Sequence, residues 1–172
     1  MLFRIFGWKV AGQLPDQKKY ICAVAPHTSN WDFFIGVAAR SILRIHKAKF
    51  LGKSQLFKKP YGWIFRSIGG IPVYRDKSHD MVDQVAEIIK NSDEFILAIA
   101  PEGTRRKVMK LRTGFWYIAK AASIPIVPVG LDFEKKEVVI GPLLFPTDIE
   151  KDMDTLMEFY HGIHGRNPEL GL

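Results

Sequence analysis

The sequence predicts one α/β domain built on a mostly parallel central sheet flanked by helices. Short continuous apolar runs, Tyr20–Ala25 ("YICAVA") and Phe95–Ala100 ("FILAIA"), have the pattern of strands buried on both faces. Stretches with helical apolar spacing, Trp31–Leu43 and Ser78–Lys90, fall between such runs, so strands alternate with helices. The 172 residues carry no internal repeat, low-complexity segment or linker, and suit a single domain, 1–172, with a full core.

The elements follow in order. Tyr20–Ala25 is the first clear strand; Thr28, Ser29 and Asn30 then offer N-cap side chains to the apolar helix Trp31–Leu43. Lys49–Gly52 reads as a short strand, and Ile71–Tyr74 as another, entered through Gly69 and Gly70. Ser78 caps a helix running to Lys90, with Met81, Val82, Val85, Ile88 and Ile89 as its apolar stripe. Phe95–Ala100 runs straight into "PEGTRR". Thr113–Ala122 reads as a helix, and Ile124–Leu131 and Lys136–Gly141 as strands. Thr147 with Glu150 forms a capping box for a last helix ending near His164, stopped by Gly165.

Composition narrows the function classes. Hydrophobic residues make up 47% and charged residues 25%, as in a globular protein. The single cysteine, Cys22, excludes an internal disulfide framework and, inside an apolar strand, reads as a buried small hydrophobe. With 25 basic and 18 acidic side chains the net charge is +7, which favours anionic partners without choosing among them. No secretory leader pattern is visible, and every apolar run falls short of the roughly 20 residues a spanning helix needs. A cytosolic or membrane-peripheral protein is expected.

His27 and Asp32, in "HTSNWD", are the first chemical signal. Mid-helix, residues five apart point about 140° away from each other. They meet if His27 lies in the turn after the strand and Asp32 in the first helical turn, as the Thr-Ser-Asn caps allow. A carboxylate on one imidazole nitrogen fixes the tautomer and leaves the other nitrogen as a base. No G-x-S-x-G elbow supplies a nucleophile, so such a base would activate a hydroxyl of the substrate. The plainer alternative is a loop histidine beside an ordinary helix-start carboxylate. A metal site is not expected, because no second histidine lies at ligand spacing from His27.

"PEGTR" is the second signal. Pro101 stops a buried strand, Gly103 permits an unusual backbone, and Glu102, Thr104 and Arg105 follow at the carboxyl end, where open α/β sheets bind ligands. Arg105 is suited to hold a phosphate, and Arg75, after "GGIPVY", can reach the same edge. Taken singly, Arg75 beside Asp76 also reads as a surface ion pair, and Arg105–Lys107 as a solvated turn.

In series these pieces resemble the lysophospholipid and glycerol-phosphate acyltransferase family, the PlsC-like acyltransferases. The family's H-x4-D motif matches "HTSNWD" in full. G-x-x-F-I-x-R is similar to "GGIPVYR" at Gly69 and Arg75, with Pro72 and Val73 in place of phenylalanine and isoleucine. F-P-E-G-T-R-S is similar to "APEGTRR", with Ala100 and Arg106 departing, and the fourth motif resembles "IVPVG", Ile126 to Gly130. The motif-bearing core covers about residues 20 to 135.

The resemblance implies a glycerolphosphate-acyltransferase-like fold. It implies transfer of a fatty acyl group from a thioester, acyl-CoA or acyl-ACP, to the free hydroxyl of a lysophospholipid such as lysophosphatidic acid. His27 would be the general base and Asp32 its orienting partner; Arg75, Glu102, Gly103, Thr104 and Arg105 would bind the acceptor's phosphate and glycerol. Neither metal nor cofactor is implied beyond the acyl co-substrate, and attack would be direct, without an acyl-enzyme.

A lipid acceptor asks for a lipid surface. Lys53–Arg66 interleaves cations with Phe57, Tyr61, Trp63 and Phe65, which reads either as an interfacial surface or as core aromatics beside a solvated face. Leu2, Phe3, Phe6 and Trp8 offer a further apolar anchor, and a peripheral position on the cytoplasmic side of an anionic membrane is expected. The rivals are a basic nucleic-acid-binding domain, supported by the +7 charge and the interleaved lysines and aromatics near position 60, an inactive lipid-binding protein of the same fold, and a hydrolase that uses water as acceptor. No nucleic-acid partner is expected, since no RNP-like, helix-turn-helix or zinc-ligand pattern is present.

Overall fold

The computed structural model describes residues 6–73 and 78–172. Along the chain these form β1 (Lys9–Ala11), β2 (Lys19–Ala25), α1 (Trp31–Ile42), β3 (Lys49–Lys53), a 3-10 turn (Ser54–Phe57), α2 (Gly62–Ser67), β4 (Gly70–Val73), α3 (Ser78–Lys90), β5 (Phe95–Ile99), α4 (Gly114–Ala122), β6 (Ile126–Asp132), β7 (Glu137–Ile140), α5 (Ile149–Tyr160) and a last 3-10 turn (Pro168–Leu170).

The strands make one seven-stranded sheet in the order β1-β7-β6-β2-β5-β3-β4. Among the described strands the pairs β1–β7, β6–β2, β2–β5, β5–β3 and β3–β4 are parallel and β6–β7 is antiparallel. The α/β class expected from the apolar runs is the one observed. β2 and β6 lie at the centre because their residues tolerate burial on both faces; all seven residues of β6 are buried.

Alternation along β2 sorts its side chains into two cores. Ile21 and Ala23 join Leu97, Ile89, Trp116 and Leu156 on the face covered by α3, α4 and α5. Tyr20 and Cys22 join Ile96, Val127 and Ala39 on the face covered by α1. Cys22 is inert there, its thiol pushed up to about 12 by burial. On α3 the stripe packs inward except Ile88, which faces solvent.

The connections explain where a site can form. From β2 the chain crosses to β3 in one direction; from β5 it returns to β6 in the other. Crossovers of one hand therefore put α1 and α4 on opposite faces. β2 and β5 are neighbours, with Cys22 opposite Ala98 and Ala23 opposite Ile99, and their carboxyl ends lead to opposite sides. The gap between those ends is a topological switch point, where such sheets hold ligands.

Several boundaries differ from expectation for physical reasons. The cap of α5 is Asp148, one residue after Thr147: its Oδ1 accepts from the amides of Glu150 and Lys151 at 3.0 and 3.2 Å. The same helix ends at Tyr160, before His164. Trp8 is no anchor. It is buried against Phe133, ring to ring at 5.0 Å, while Phe6 is exposed; Leu2 and Phe3 lie outside the described residues. Of the aromatics between Lys53 and Arg66, Phe57 belongs to the core and Tyr61 and Trp63 stand in solvent. Among the described residues no helix is long and apolar enough to cross a membrane.

Candidate active site

β2 ends at Ala25 because Pro26 has no amide to continue the ladder. The next residue, His27, sits at the mouth of the β2–β5 gap, its side chain 24% exposed. Its Nδ1 lies 3.0 Å from Oδ2 of Asp32. The meeting is local: the Thr28–Asn30 turn reverses the chain so that Asp32 enters the first turn of α1 directly beside the ring.

Asp32 is only 3% exposed, yet its carboxylate is well served. The Ser29 amide donates to Oδ2 at 2.7 Å and the Ser29 hydroxyl to Oδ1 at 3.3 Å. The same hydroxyl accepts from the Trp31 amide at 3.0 Å, so Ser29 orders the turn rather than offering a nucleophile. With Nδ1–H turned to a carboxylate, Nε2 keeps its lone pair and can take up a proton.

The second strand end supplies the floor. Glu102 is 1% exposed, and its Oε2 accepts from the main-chain amide of His27 at 2.5 Å. Burial pushes its carboxyl up to about 7, opposed by the His27 amide and ring and assisted by the charge of Asp32. Beneath the gap the buried Tyr160 hydroxyl donates to the Ala23 carbonyl on β2 at 2.6 Å. Its pKa is driven well above the usual phenol value by burial, then by Glu102 and Cys22.

Beyond Glu102 the chain turns sharply. Gly103 has φ +64, and its amide donates to Ala100 at 3.1 Å. A Cβ there would also stand 2.6 Å from Cδ of Arg112, whose amide in turn donates to the Pro101 carbonyl at 2.8 Å. Thr104 is half-buried, its hydroxyl accepting from the Arg106 amide at 3.3 Å, and Arg105 is exposed on the outside of the turn. The structure thus brings His27, Asp32 and Glu102 into one cluster with Gly103 and Thr104 next in the chain. Arg75 lies outside the described residues. Among the described residues no three His, Cys, Asp or Glu side chains converge as metal ligands.

One part of the site was not signalled by the sequence. Thr28 is buried, and the segment after α5 closes over it: the Asn167 amide donates to Thr28 Oγ1 at 3.2 Å and its side-chain amide to the Thr28 carbonyl at 3.0 Å. A Cβ on Gly165 would fall 2.7 Å from that Oγ1, so only glycine permits the approach. Arg166 lies between them in sequence, its guanidinium 5.2 Å from the Trp31 ring. Nothing in the spacing marks residues 139 positions apart as neighbours.

The model of the Acyltransferase family matches residues 8–132, most of the chain. This chain belongs to the Acyltransferase family. The matched span holds both loops of the cluster and all four motif segments. Among curated Acyltransferase relatives, the 1-acyl-sn-glycerol-3-phosphate acyltransferase of Haemophilus influenzae is 30% identical over 138 residues, covering 74% of this chain and 55% of that protein. The enzyme of the same name from Escherichia coli is 27% identical over 164 residues, covering 86% and 66%. The chain therefore spans between about half and two thirds of these relatives' length. The crystal structure of the 1-acyl-sn-glycerophosphate (LPA) acyltransferase PlsC from Thermotoga maritima has a similar fold, with a TM-score of 0.63 at 21% identity over 94% of this chain and 73% of that one.

Proposed function

We propose that this Acyltransferase-family chain moves a fatty acyl group from an acyl thioester, acyl-CoA or acyl-ACP, to the free hydroxyl of a lysophospholipid. Lysophosphatidic acid is the acceptor suggested by the names of its relatives. The observation that carries the proposal is the 3.0 Å contact between Nδ1 of His27 and the buried Asp32 at the switch point, with Nε2 without a partner among the described residues.

The acceptor hydroxyl gives its proton to Nε2 of His27 as its oxygen attacks the thioester carbonyl. Asp32 holds the ring and stabilises the imidazolium. Collapse of the tetrahedral intermediate breaks the carbon–sulfur bond, and the imidazolium returns its proton to the departing thiolate. The ester and a free thiol are the products, with no acyl-enzyme between. Gly103, Thr104, Arg105 and Arg75 receive the acceptor's phosphate and glycerol. Glu102 contributes from below by fixing the turn, its Oε2 already engaged with the His27 amide. A lipid acceptor calls for a peripheral position on an anionic membrane surface, on the cytoplasmic side where acyl thioesters are made available.

Thiol release from long-chain acyl-CoA, followed with and without a panel of lysophospholipids, tests the proposal, with acyl-ACP as the second donor. Release that requires an acceptor supports transfer and identifies the head group. Release that needs no acceptor would point to a hydrolase, and no release from either donor would contradict the enzyme.

A further inference from the structure

Helix α1 reads "WDFFIGVAARSI", apolar almost all the way round, whereas a helix packed on one face needs an apolar stripe and a polar back. Only Asp32 and Ala39 are fully buried. Trp31, Phe34 and Ile42 fall within a sector of about 80° at the helical period and point to solvent. Trp31 is 54% exposed and Phe34 60%, and they lie one and two positions from Asp32 in the chain.

A second set of exposed apolar side chains stands on the segment between β3 and β4. Phe57 and Phe65 turn inward, but Leu56, Tyr61, Trp63 and Ile64 do not; Trp63 is 69% exposed. Phe33 of α1 joins the two sets, with its ring 5.9 Å from Phe34 and 6.2 Å from Phe65 of α2. The two exposed sets are therefore tied to each other through the half-buried rings of Phe33 and Phe65.

Charge decides what it fits. The stretch Lys53–Arg66 carries Lys53, Lys58, Lys59 and Arg66, all exposed, and no acidic residue. Arg166 adds a cation beside Trp31. A second copy of this chain would bring the same positive patch and repel it. Single-stranded nucleic acid would use the rings and cations but not the aliphatic Leu56, Ile64 and Ile42. An anionic bilayer uses all three kinds: aliphatic side chains in the acyl region, Trp and Tyr at the headgroup boundary, and Lys and Arg snorkelling to phosphates.

We propose that the outward face of α1 and the exposed aromatic and aliphatic side chains of residues 56–64 form one docking surface for an anionic lipid bilayer, seating the mouth of the His27–Asp32 site at the membrane. This rests on the acyltransferase reading for its purpose, though not for its geometry.

The test uses the whole chain and vesicles of phosphatidylcholine with phosphatidylglycerol, some lipids carrying brominated acyl chains. Of the four tryptophans, Trp8 and Trp116 are buried and Trp31 and Trp63 exposed, so bromine quenching reports on the proposed face. Sedimentation with these vesicles and quenching in the wild-type protein, with most of the quenching lost in Trp31→Phe/Trp63→Phe, is expected. Partition of Phe34→Ser/Trp63→Ser should fall by about tenfold or more. Sedimentation without quenching, unchanged partition of that variant, no sedimentation, or tighter binding to a single-stranded oligonucleotide at the same salt would each overturn the surface. Transfer to a water-soluble short-chain lysophosphatidate is read separately. If it is absent while quenching persists, the acyltransferase reading fails and the lipid surface stands.

Discussion

The main-chain amide of His27 donates to the carboxylate of Glu102 at 2.5 Å, tying two loops whose residues are 75 positions apart. Through this bond the turn after β5 sets the height of the imidazole, while Asp32 sets its tilt from the other side. A site assembled this way depends on groups that need never touch substrate.

Glu102 therefore links the site to pH. Its carboxyl is raised from 4.5 to about 7, chiefly by burial. A group whose folded value lies above its unfolded one stabilises the fold fully below pH 4.5 and loses that contribution as the pH rises through about 7. Glu102→Gln keeps an acceptor for the His27 amide and removes the titration. The difference in melting temperature, variant minus wild type, should grow more positive between pH 5 and pH 8 by about 5 °C, for a linkage on the order of 2 kcal/mol. Parallel melting curves at both pH values would remove the link.

Gly103 holds φ +64 and would crowd Arg112 if it carried a Cβ. Gly103→Ala should cost about 1–2 kcal/mol in urea unfolding and raise the KM for the acceptor. Adding Arg112→Ala relieves the crowding but not the backbone, so the double variant should recover only part of the stability.

Asn167 makes two hydrogen bonds to Thr28, the residue next to His27. Asn167→Ala should lower kcat by about tenfold with little change in KM, through a loosened turn. Tyr160→Phe is the control: it removes the buried hydroxyl bond to the Ala23 carbonyl for about 1 kcal/mol and should leave kcat of the folded protein unchanged. Equal loss of kcat in both variants would show that the Asn167 effect is general destabilisation.

What was legible in the sequence is what local spacing controls. The five-residue step from His27 to Asp32 spans the strand-to-helix turn, and the structure has the two side chains in contact; Asn30 at the cap position makes no side-chain capping bond, and Ser29 holds the turn instead. The buried strands declared themselves as apolar runs, and their alternation with helices carried the α/β class. β1 escaped notice because three residues hold no period, and α2 because its six residues sit among cations and rings that resemble a loop. Trp8 read as an anchor since an aromatic near a terminus has the same appearance whether it is core or surface; only the Phe133 contact decides it. Thr147 and Asp148 are both competent caps one residue apart, and backbone geometry alone selects the second. The Asn167–Thr28 bonds and the Arg112–Gly103 approach are tertiary, with no local trace.

The measurement that bears most directly on the central claim is acceptor-dependent thiol release by wild type, His27→Ala and Asp32→Asn under identical conditions, with melting curves to show that each is folded. A proton taken up at Nε2 of a carboxylate-oriented His27 predicts a fall of about 10²–10⁴-fold in His27→Ala and a fall of about 10²-fold or more in Asp32→Asn. Full acceptor-dependent turnover in a folded His27→Ala protein would contradict it.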